Sequence, residues 1–219
     1  MTKQLIGVYG ASGFGKEVMP IVRQQLSDLP KDSFVFIDDH QAGTVLNDYS
    51  VLSYADFINH PHVDKAVTIA IANSQVREKL AQRLDADHIQ HLDIHASNTV
   101  ILDAVDIGEG SLLCPFSCLT SNIKIGRFFH ANIYSYVAHD CVIGDFVTFA
   151  PGVKCNGNIH IEDHAYIGTG AVIKQGTPEK PLVIGRGAVV GMGAVVTKSV
   201  PAGVTVVGNP ARILEKKSF

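Results

Sequence analysis

The stretch that decides the fold is residues 137–173, VAHDCVIGDFVTFAPGVKCNGNIHIEDHAYIGTGAVI. An apolar residue or a cysteine recurs at every sixth position, and the spacing reaches back to Ile107 and, after an interruption, forward to Val196. Neither an α-helix, with a period of about 3.6 residues, nor a two-sided strand, with a period of about two, produces a period of six. The series consists of Ile107, Leu113, Leu119, Ile125, Ala131, Val137, Ile143, Phe149, Cys155, Ile161, Ile167, Ile173, Ile184, Val190 and Val196.

This period predicts a solenoid of short parallel strands, in which one residue per six points into a narrow prism and three hexapeptides make one triangular coil. It is the hexapeptide repeat of the left-handed parallel β-helix, which we assign to residues 96–219. Residues 175–183 contain two prolines and a glycine, break the register, and are expected to form a loop outside the prism.

Two further positions of the repeat have a preferred residue type. The fourth residue after each series member is usually small or β-branched, which suits packing against the prism. The first residue after it is often glycine, which we expect to permit backbone conformations that larger residues resist. These glycines are Gly108, Gly126, Gly144, Gly168, Gly185 and Gly191.

Residues 1–95 follow a different pattern, in which strand-like and helix-like segments alternate. Strands are predicted at QLIGVYG, SFVFIDD, KAVTIAI and IQHLDI. Helices are predicted at GKEVMPIVRQQL with Pro20 in an early turn, at SYADFINH, and at SQVREKLAQRL with Ser74 as the N-cap. The alternation predicts a small parallel sheet, so the fold class is an α/β Rossmann-like domain followed by the β-helix.

The segment YGASGFGKE, residues 9–17, leads from the first strand into the first helix and can bind an anion through glycine amides at the helix N-terminus. A dinucleotide fingerprint requires GxGxxG, whereas Gly10, Gly13 and Gly15 give GxxGxG. An ATP-binding P-loop requires Ser or Thr where Glu17 stands. The third interpretation is a nucleotide-sugar diphosphate site, and the simplest is a tight turn without a ligand.

Two carboxylates, Asp38 and Asp39, end the second predicted strand. In parallel α/β sheets, ligands bind beyond the carboxyl ends of the strands, where a carboxylate can reach a ribose or a base edge. The alternative interpretation of the pair is a solvated turn.

Composition excludes several classes of protein. The net charge of −3 gives no electrostatic footprint for nucleic acid. No apolar run is long enough to span a membrane. The N-terminus enters a strand at once, so we expect no signal peptide and a cytoplasmic protein. The cysteines show no metal-type spacing and are expected to be buried thiols in a reducing compartment. They are Cys114, Cys118, Cys141 and Cys155.

His139 and Asp140 are two titratable residues inside the apolar hexapeptide repeat. They follow the inward-pointing Val137 by two and three positions, so we expect them at a corner of a coil, facing the surface or a neighbouring subunit. A histidine can take a proton at cytosolic pH, and a carboxylate stabilises the resulting imidazolium. The pair therefore suits general-base catalysis of an amine attacking a thioester. Cys141 is a less suitable nucleophile, because its position packs against the prism. A solvated corner without a role is the alternative.

Together, YGASGFG, the DD pair, the hexapeptide repeats, HDCVIGDF, GVKCNGN and VVGNPAR resemble the sialic-acid O-acetyltransferase/PglD family of bacterial acyltransferases over essentially the whole chain. The nearest resemblance is to N-acetyltransferases that use acetyl-CoA, without a metal. Those enzymes acetylate a UDP-4-amino-4,6-dideoxy-N-acetyl-hexosamine to give UDP-N,N′-diacetylbacillosamine for bacterial glycans. The resemblance also implies a homotrimer with active sites between neighbouring β-helices.

The resemblance implies His139 as the catalytic base, Asp140 as its acidic partner, and Asn132 as a residue lining the sugar site. The residues implied for the diphosphate and the nucleotide are Ser12, Gly13, Phe14, Lys16, Asp38, Asp39 and Ala72. The residues implied for acetyl-CoA are Thr148, Gly157, Thr169 and Met192. Thr148 departs from the pattern, because close relatives carry a second histidine there; threonine donates a hydrogen bond but cannot become a cation.

The sequence leaves three rival functions open. A transferase acting on a sugar hydroxyl, such as that of a sialic acid, or on a GDP-linked 4-amino sugar would use the same fold. A zinc carbonic anhydrase would need three histidines, but the spacing of His130, His160 and His164 does not clearly build such a site. The third rival is a β-helix scaffold that has lost catalysis.

Overall fold

The computed structural model describes residues 4–61 and 64–215. Backbone packing divides the chain into two compact units, Met1–Ser97 and Asn98–Phe219. In the described residues, no helix has the length and apolar character needed to cross a membrane.

The first unit is built on a mostly parallel sheet with strands in the order β3-β4-β2-β1-β5-β6. β3 pairs antiparallel with β4, and the other neighbours are parallel. The predicted Rossmann-like fold is confirmed, whereas the β3–β4 hairpin was not anticipated. The elements are β1 Gln4–Tyr9, α1 Gly13–Gln25, a 3-10 helix Lys31–Ser33, β2 Phe34–Ile37, β3 Val45–Leu46, β4 Tyr49–Leu52, α2 Tyr54–Ile58, β5 Asp64–Ile69, α3 Ser74–Ala86, β6 Gln90–His91 and β7 Ile94–His95.

Two local predictions for the helices of the first unit were wrong. Pro20 lies in the middle of α1 rather than in an early turn, and its exposed ring is tolerated there. Asn73, not Ser74, is the N-cap of α3, because its side chain accepts hydrogen bonds from the N–H groups of Gln75 and Val76. Asparagine and serine are similarly good caps, so sequence preference alone did not separate the two neighbours.

The second unit is a left-handed parallel β-helix whose short strands form three faces. Face 1 contains β10 Leu112–Leu113, β13 His130–Ala131, β16 Thr148–Phe149, β19 Tyr166–Ile167, β22 Val189–Val190, β24 Thr205–Val207 and the antiparallel β25 Arg212–Ile213. Face 2 contains β8 Val100–Ile101, β11 Cys118–Leu119, β14 Tyr136–Val137, β17 Lys154–Cys155, β20 Val172–Ile173 and β23 Val195–Val196. Face 3 contains β9 Val105–Ile107, β12 Ile123–Ile125, β15 Val142–Ile143, β18 Ile159–Ile161 and β21 Leu182–Ile184.

The hexapeptide series forms the interior of this prism. Every member from Leu113 to Val196 is buried, and Ile107 packs against the same core. The residue four positions later also points inward, as shown by Cys141, Val147 and Val153. Each coil is 18 residues long where the register is unbroken, because Val137 pairs with Cys155 and Cys155 pairs with Ile173.

The expected reason for the repeat glycines was wrong. The left-handed backbone conformation falls two residues later, at positions such as Asn122, Asp140 and Asn158, with φ of 56°, 57° and 55°. The glycines are needed for close approach instead. A Cβ on Gly108 would lie 2.7 Å from the backbone nitrogen of Arg127 in the next coil.

The predicted loop interrupts the prism between Ile173 and β21. Backbone hydrogen bonds hold both ends of the loop, since Gly176 N–H donates to Gly157 O and Leu182 N–H donates to Asn158 O. The tail leaves the hexapeptide frame after β23, and the antiparallel β25 closes the end of face 1.

Candidate active site

His139 and Asp140 lie on the corner between faces 2 and 3, directly after β14. We call this corner, with its equivalents one coil before the dyad and one and two coils after it, the dyad corner: residues 120–122, 138–141, 156–158 and 174–176. The His139 Nδ1 atom is 2.7 Å from Asp140 Oδ2, and the two side chains are 48% and 45% exposed. Both groups are therefore accessible to a ligand while holding each other in place.

Hydrogen bonds fix the charge state of the carboxylate. The hydrogen bond from His139 is the largest cause that lowers the pKa of Asp140, and a second one from the Asn122 amide lowers it further. The Asn122 Nδ2 group lies 3.2 Å from Asp140 Oδ1. Because Asp140 is ionised at neutral pH, it accepts the Nδ1 proton of His139. Nε2 of a neutral His139 is then the basic nitrogen.

Gly157 lies beside the imidazole, one coil beyond His139. A Cβ at Gly157 would lie 2.5 Å from both Cε1 and Nε2 of His139. The next residue anchors the histidine backbone, since Asn158 N–H donates to His139 O. The ring therefore occupies space that only a glycine at residue 157 leaves open.

Three polar residues at or next to this corner, Asn122, Tyr136 and Asn156, were missed by sequence reasoning. Asn122 contacts Asp140, and Tyr136 donates its hydroxyl to Asn156 Oδ1 at 2.9 Å, while Asn156 Nδ2 donates to Ile173 O at 2.7 Å. Burial raises the pKa of Tyr136. The 18-residue coil was the signal that could have found Asn122, because it precedes Asp140 by one coil.

Cys141 is fully buried beneath the dyad. Its thiol lies 3.2 Å from Asn156 O. A hydrogen bond with the Cys155 thiol lowers the pKa of Cys141 and raises that of Cys155. A buried thiol facing the prism is badly placed to attack a ligand at the surface.

The other residues implied for the sugar and acetyl-CoA lie elsewhere on the β-helix. Asn132, Thr169 and Met192 follow strands of face 1, at the corner between faces 1 and 2, which we call the first corner. Thr148 is buried in β16, paired with His130 and Tyr166. Within one chain, the structure brings together His139, Asp140 and Gly157 at the dyad corner, and the other four lie away from it.

The glycine loop of the first unit connects β1 to α1. Gly10 has a φ of 113°, and a Cβ there would lie 3.0 Å from Ala70 O. A Cβ on Gly15 would collide with Gly10 O. A tight turn thus explains Gly10 and Gly15. It does not explain Gly13, because apart from its chain neighbours and the backbone of α1 no atom of the described residues lies within 4 Å of the place where its Cβ would be.

Asp38 fastens this loop to the end of β2. Its Oδ2 accepts the Ala11 N–H at 3.2 Å, and its Oδ1 accepts the His40 N–H at 3.0 Å. Asp39 accepts the Tyr54 N–H at 2.7 Å and lies 3.8 Å from Arg83. The aspartate pair follows β2 at the predicted edge, and it has structural roles that the sequence did not reveal.

Ala72 lies in the exposed loop after β5. Its carbonyl accepts a hydrogen bond from the buried Arg77 at 3.1 Å, and the Ile71 carbonyl accepts one at 2.8 Å. Burial lowers the pKa of Arg77 to about 9, so the guanidinium remains charged at neutral pH. Ser12, Phe14 and Lys16 belong to the turn and the first residues of α1, and the Ser12 hydroxyl does not cap the helix.

The three histidines of the zinc hypothesis are separated. His130 lies on face 1, His160 lies on face 3, and His164 stacks on Phe146. Across residues 4–61 and 64–215, no cluster of three or more His, Cys, Asp or Glu side chains is arranged to hold a metal ion.

Comparisons with known proteins agree with this architecture. Residues 5–84 match the model of the PglD N-terminal domain. The chain is 51% identical over 214 residues to a GDP-perosamine N-acetyltransferase of Escherichia coli O157:H7, covering 97% of each chain. The structure of WeeI from Acinetobacter baumannii AYE is 79% identical, with a TM-score of 0.96 over 96% of this chain and 100% of that one.

A further solved structure is the acetyltransferase domain of PglB from Neisseria gonorrhoeae FA1090 in complex with acetyl coenzyme A. It is 26% identical, with a TM-score of 0.84 over 97% of this chain and 100% of that one.

The hexapeptide-repeat β-helix and these relatives define an acyltransferase with a Rossmann-like first domain. The chain belongs to the PglD family of sugar N-acetyltransferases. The predicted enzyme class, an acetyl-CoA-dependent sugar N-acetyltransferase, is confirmed.

Proposed function

We propose that this enzyme transfers the acetyl group of acetyl-CoA to the 4-amino group of a nucleotide-linked 4-amino-4,6-dideoxyhexose. The observation that carries this proposal is the His139–Asp140 pair, half-exposed on a corner of the β-helix with Nε2 of the imidazole facing Gly157. This geometry offers a base to a ligand at the surface without offering a nucleophile.

The reaction follows from these groups. The neutral amine attacks the thioester carbonyl carbon, a C–N bond forms, and His139 Nε2 takes the proton that leaves the nitrogen. Asp140 stabilises the imidazolium. The C–S bond then breaks, and the proton passes from the imidazolium to the departing CoA thiolate. No acceptor for the Gly157 N–H is found in the part of the chain that the structure describes, so this group can stabilise the developing oxyanion.

The dyad corner continues into a pocket suited to acetyl-CoA. The residues that follow His139 at the same position in the next three coils are Gly157, Gln175 and Lys198. Each coil advances about 4.8 Å, so this path is roughly 14 Å long. The pantetheine arm spans about thirteen bonds from sulfur to phosphorus, which equals roughly four extended residues, or about 14 Å.

At the far end of this path lies an open pocket of about 620 Å³, lined by the loop after β20 and by the turn after β23. None of its three lysine ammonium groups has an ion-pair partner among the described residues. The phosphates of acetyl-CoA supply the opposite charge, so we place them here. The lysines are Lys174, Lys180 and Lys198.

For the sugar nucleotide, we propose the glycine loop and the edge of the sheet in the first unit. Gly13 leaves open space beside the N-terminus of α1, where backbone N–H groups favour a diphosphate. Ser12, Phe14 and Lys16 complete this loop. Asp38, Asp39 and Ala72 are proposed to bound the nucleoside, although the aspartates also stabilise the loop itself.

The nucleotide has two candidates. The first is UDP, in a UDP-4-amino-4,6-dideoxy-N-acetyl-hexosamine whose acetylation gives UDP-N,N′-diacetylbacillosamine. It rests on the sequence resemblance. The second is GDP, favoured by the 51% identity to a protein named for GDP-perosamine. Both substrates present an amine on carbon 4, so the same dyad serves either.

A substrate panel tests the proposal. Purified enzyme is incubated with acetyl-CoA and UDP- or GDP-linked 4-amino sugars, with the matching 4-hydroxy sugars as controls, and the product mass and free CoA thiol are measured. We expect one added acetyl group on an amino sugar of one nucleotide series. Acetylation of a hydroxy sugar alone, or of none, would refute the N-acetyltransferase assignment to this substrate class.

We also propose the homotrimer, in the cytoplasm, with sites shared between chains. Asn132 and His139 lie on different corners of one rigid prism, so a sugar bound near Asn132 needs His139 from a second chain. Mixing Asn132→Ala and His139→Ala chains, unfolded and refolded together, should restore activity that neither variant has alone. Light scattering should give three times the chain mass. A monomer, or mixtures as inactive as the parents, would contradict a shared site.

A further inference from the structure

Asn122 stands one coil before Asp140 on the dyad corner, and its side chain reaches the carboxylate. Its Nδ2 lies 3.2 Å from Oδ1 of Asp140, while the other oxygen, Oδ2, lies 2.7 Å from His139 Nδ1. Each carboxylate oxygen therefore has its own partner. The order of contacts is Asn122, Asp140, His139.

From these contacts we infer that Asn122 is a positioning residue for acetyl transfer, acting on His139 through Asp140. This inference rests on the proposed function of the dyad. An exposed carboxylate held only by His139 can rotate about its side-chain bonds and exchange that contact for water. A second hydrogen bond, from a neutral donor on the adjacent coil, fixes the plane of the carboxylate and so the orientation of the imidazole.

The left-handed backbone at residue 122 does not by itself require the Asn122 side chain. The residue is exposed and adopts a φ of 56°, which the backbone holds by the hydrogen bond from its N–H to Asp103 O. One coil earlier, Ala104 occupies the equivalent corner with a φ of 55°. The corner therefore does not need an asparagine to form.

The charged and titratable neighbours of Asp140 are few. His139 lies beside it, and the buried Cys141 thiol lies beneath the same turn. Asn122 itself is neutral. A change at residue 122 thus alters the carboxylate without altering another ion pair in this part of the structure.

The test compares three variants by steady-state kinetics across pH. Asn122→Gly keeps a residue that accepts the left-handed backbone, and we expect kcat to fall about 5- to 30-fold with KM for acetyl-CoA unchanged. Asn122→Asp should move the acidic limb of the pH–rate profile to higher pH, because it adds negative charge beside the imidazolium.

The third variant combines Asn122→Gly with Asp140→Asn. Its kcat should lie within about twofold of that of Asp140→Asn alone, since Asn122 acts through the carboxylate. Asn47→Gly is the control, an exposed asparagine with a φ of 48° in the β3–β4 hairpin, and it should match the wild type. Wild-type kcat in Asn122→Gly, an acidic limb in Asn122→Asp that does not move to higher pH, or full additivity of the two changes would overturn the inference. Failure of the proposed function is distinct, because the wild type itself would then acetylate no sugar.

Discussion

Replacing Gly157 by alanine tests the spatial relation between the coils of the active site. The new Cβ would lie 2.5 Å from Cε1 and Nε2 of His139, whereas ordinary contact begins at 3.4 Å. The ring must therefore move by roughly 1 Å or rotate away from its position beside Asp140. Gly157 does not have a left-handed φ, so alanine adds no backbone strain and the conflict is confined to the imidazole.

The expected loss follows from what displacement of a general base costs. Complete removal of a base typically lowers the rate about 10²- to 10⁴-fold, and a misplacement of about 1 Å can cost about 10²-fold. We expect kcat of Gly157→Ala to fall roughly 30- to 300-fold. Thermal stability should change little, because His139 is half-exposed and its ring can turn toward solvent.

The assay is release of free CoA thiol, measured for Gly157→Ala, His139→Ala and the double variant. If Gly157 matters through His139, adding Gly157→Ala to His139→Ala should change the rate by less than about twofold. Persistence of the full loss in the His139→Ala background would show a different role for Gly157, such as oxyanion binding alone. Wild-type kcat in Gly157→Ala would refute the steric reasoning altogether.

Three other predictions concern the same enzyme. His139→Ala should lower kcat about 10²- to 10⁴-fold and keep acetyl-CoA binding as measured by calorimetry. Asp140→Asn should lower kcat by less. It should also move the acidic limb of the pH–rate profile to lower pH, because the imidazolium loses the carboxylate whose pKa is held low. Lys198→Gln should raise KM for acetyl-CoA and for acetyl-dephospho-CoA alike, because both carry the diphosphate that the path from His139 brings to this pocket; an unchanged KM for both would place the diphosphate elsewhere. Asp38→Ala with Asp39→Ala should raise KM for the nucleotide sugar and not for acetyl-CoA, and calorimetry should show binding of UDP or GDP; micromolar binding of NADH in their place would contradict the site.

The period of six was sufficient to predict the β-helix because it reports on packing that repeats. Every hexapeptide buries the same two positions, so the pattern from Leu113 to Val196 records fourteen equivalent environments. The glycines next to that series were assigned the wrong cause, because a sequence cannot tell a left-handed φ from a close approach between coils. Only the structure shows that Gly108 faces the backbone of Arg127.

The first unit was harder to predict in detail. Strands β1, β2, β5 and β6 were predicted, but β3 has only two residues and β4 alternates buried and exposed residues, so their hairpin has little hydrophobic signal. Asp38 shows a related limit. Its place after β2 was predictable, whereas its hydrogen bond to Ala11 depends on how the glycine loop folds back toward β2.

The dyad corner shows why a β-helix site is partly readable from sequence once its period is known. Contacts that support His139 and Asp140 come from residues 18 positions away, since Asn122 precedes Asp140 by one coil and Gly157 follows His139 by one. The rule holds only while the coils are uninterrupted. The loop after β20 adds five residues, so Lys198 lies 23 positions after Gln175 although it follows in the next coil. A search of such sequences for polar residues one coil from a candidate base therefore has to restart after each loop. The search also misses groups on the first corner, because their distance from His139 is set by the width of the prism and not by the period.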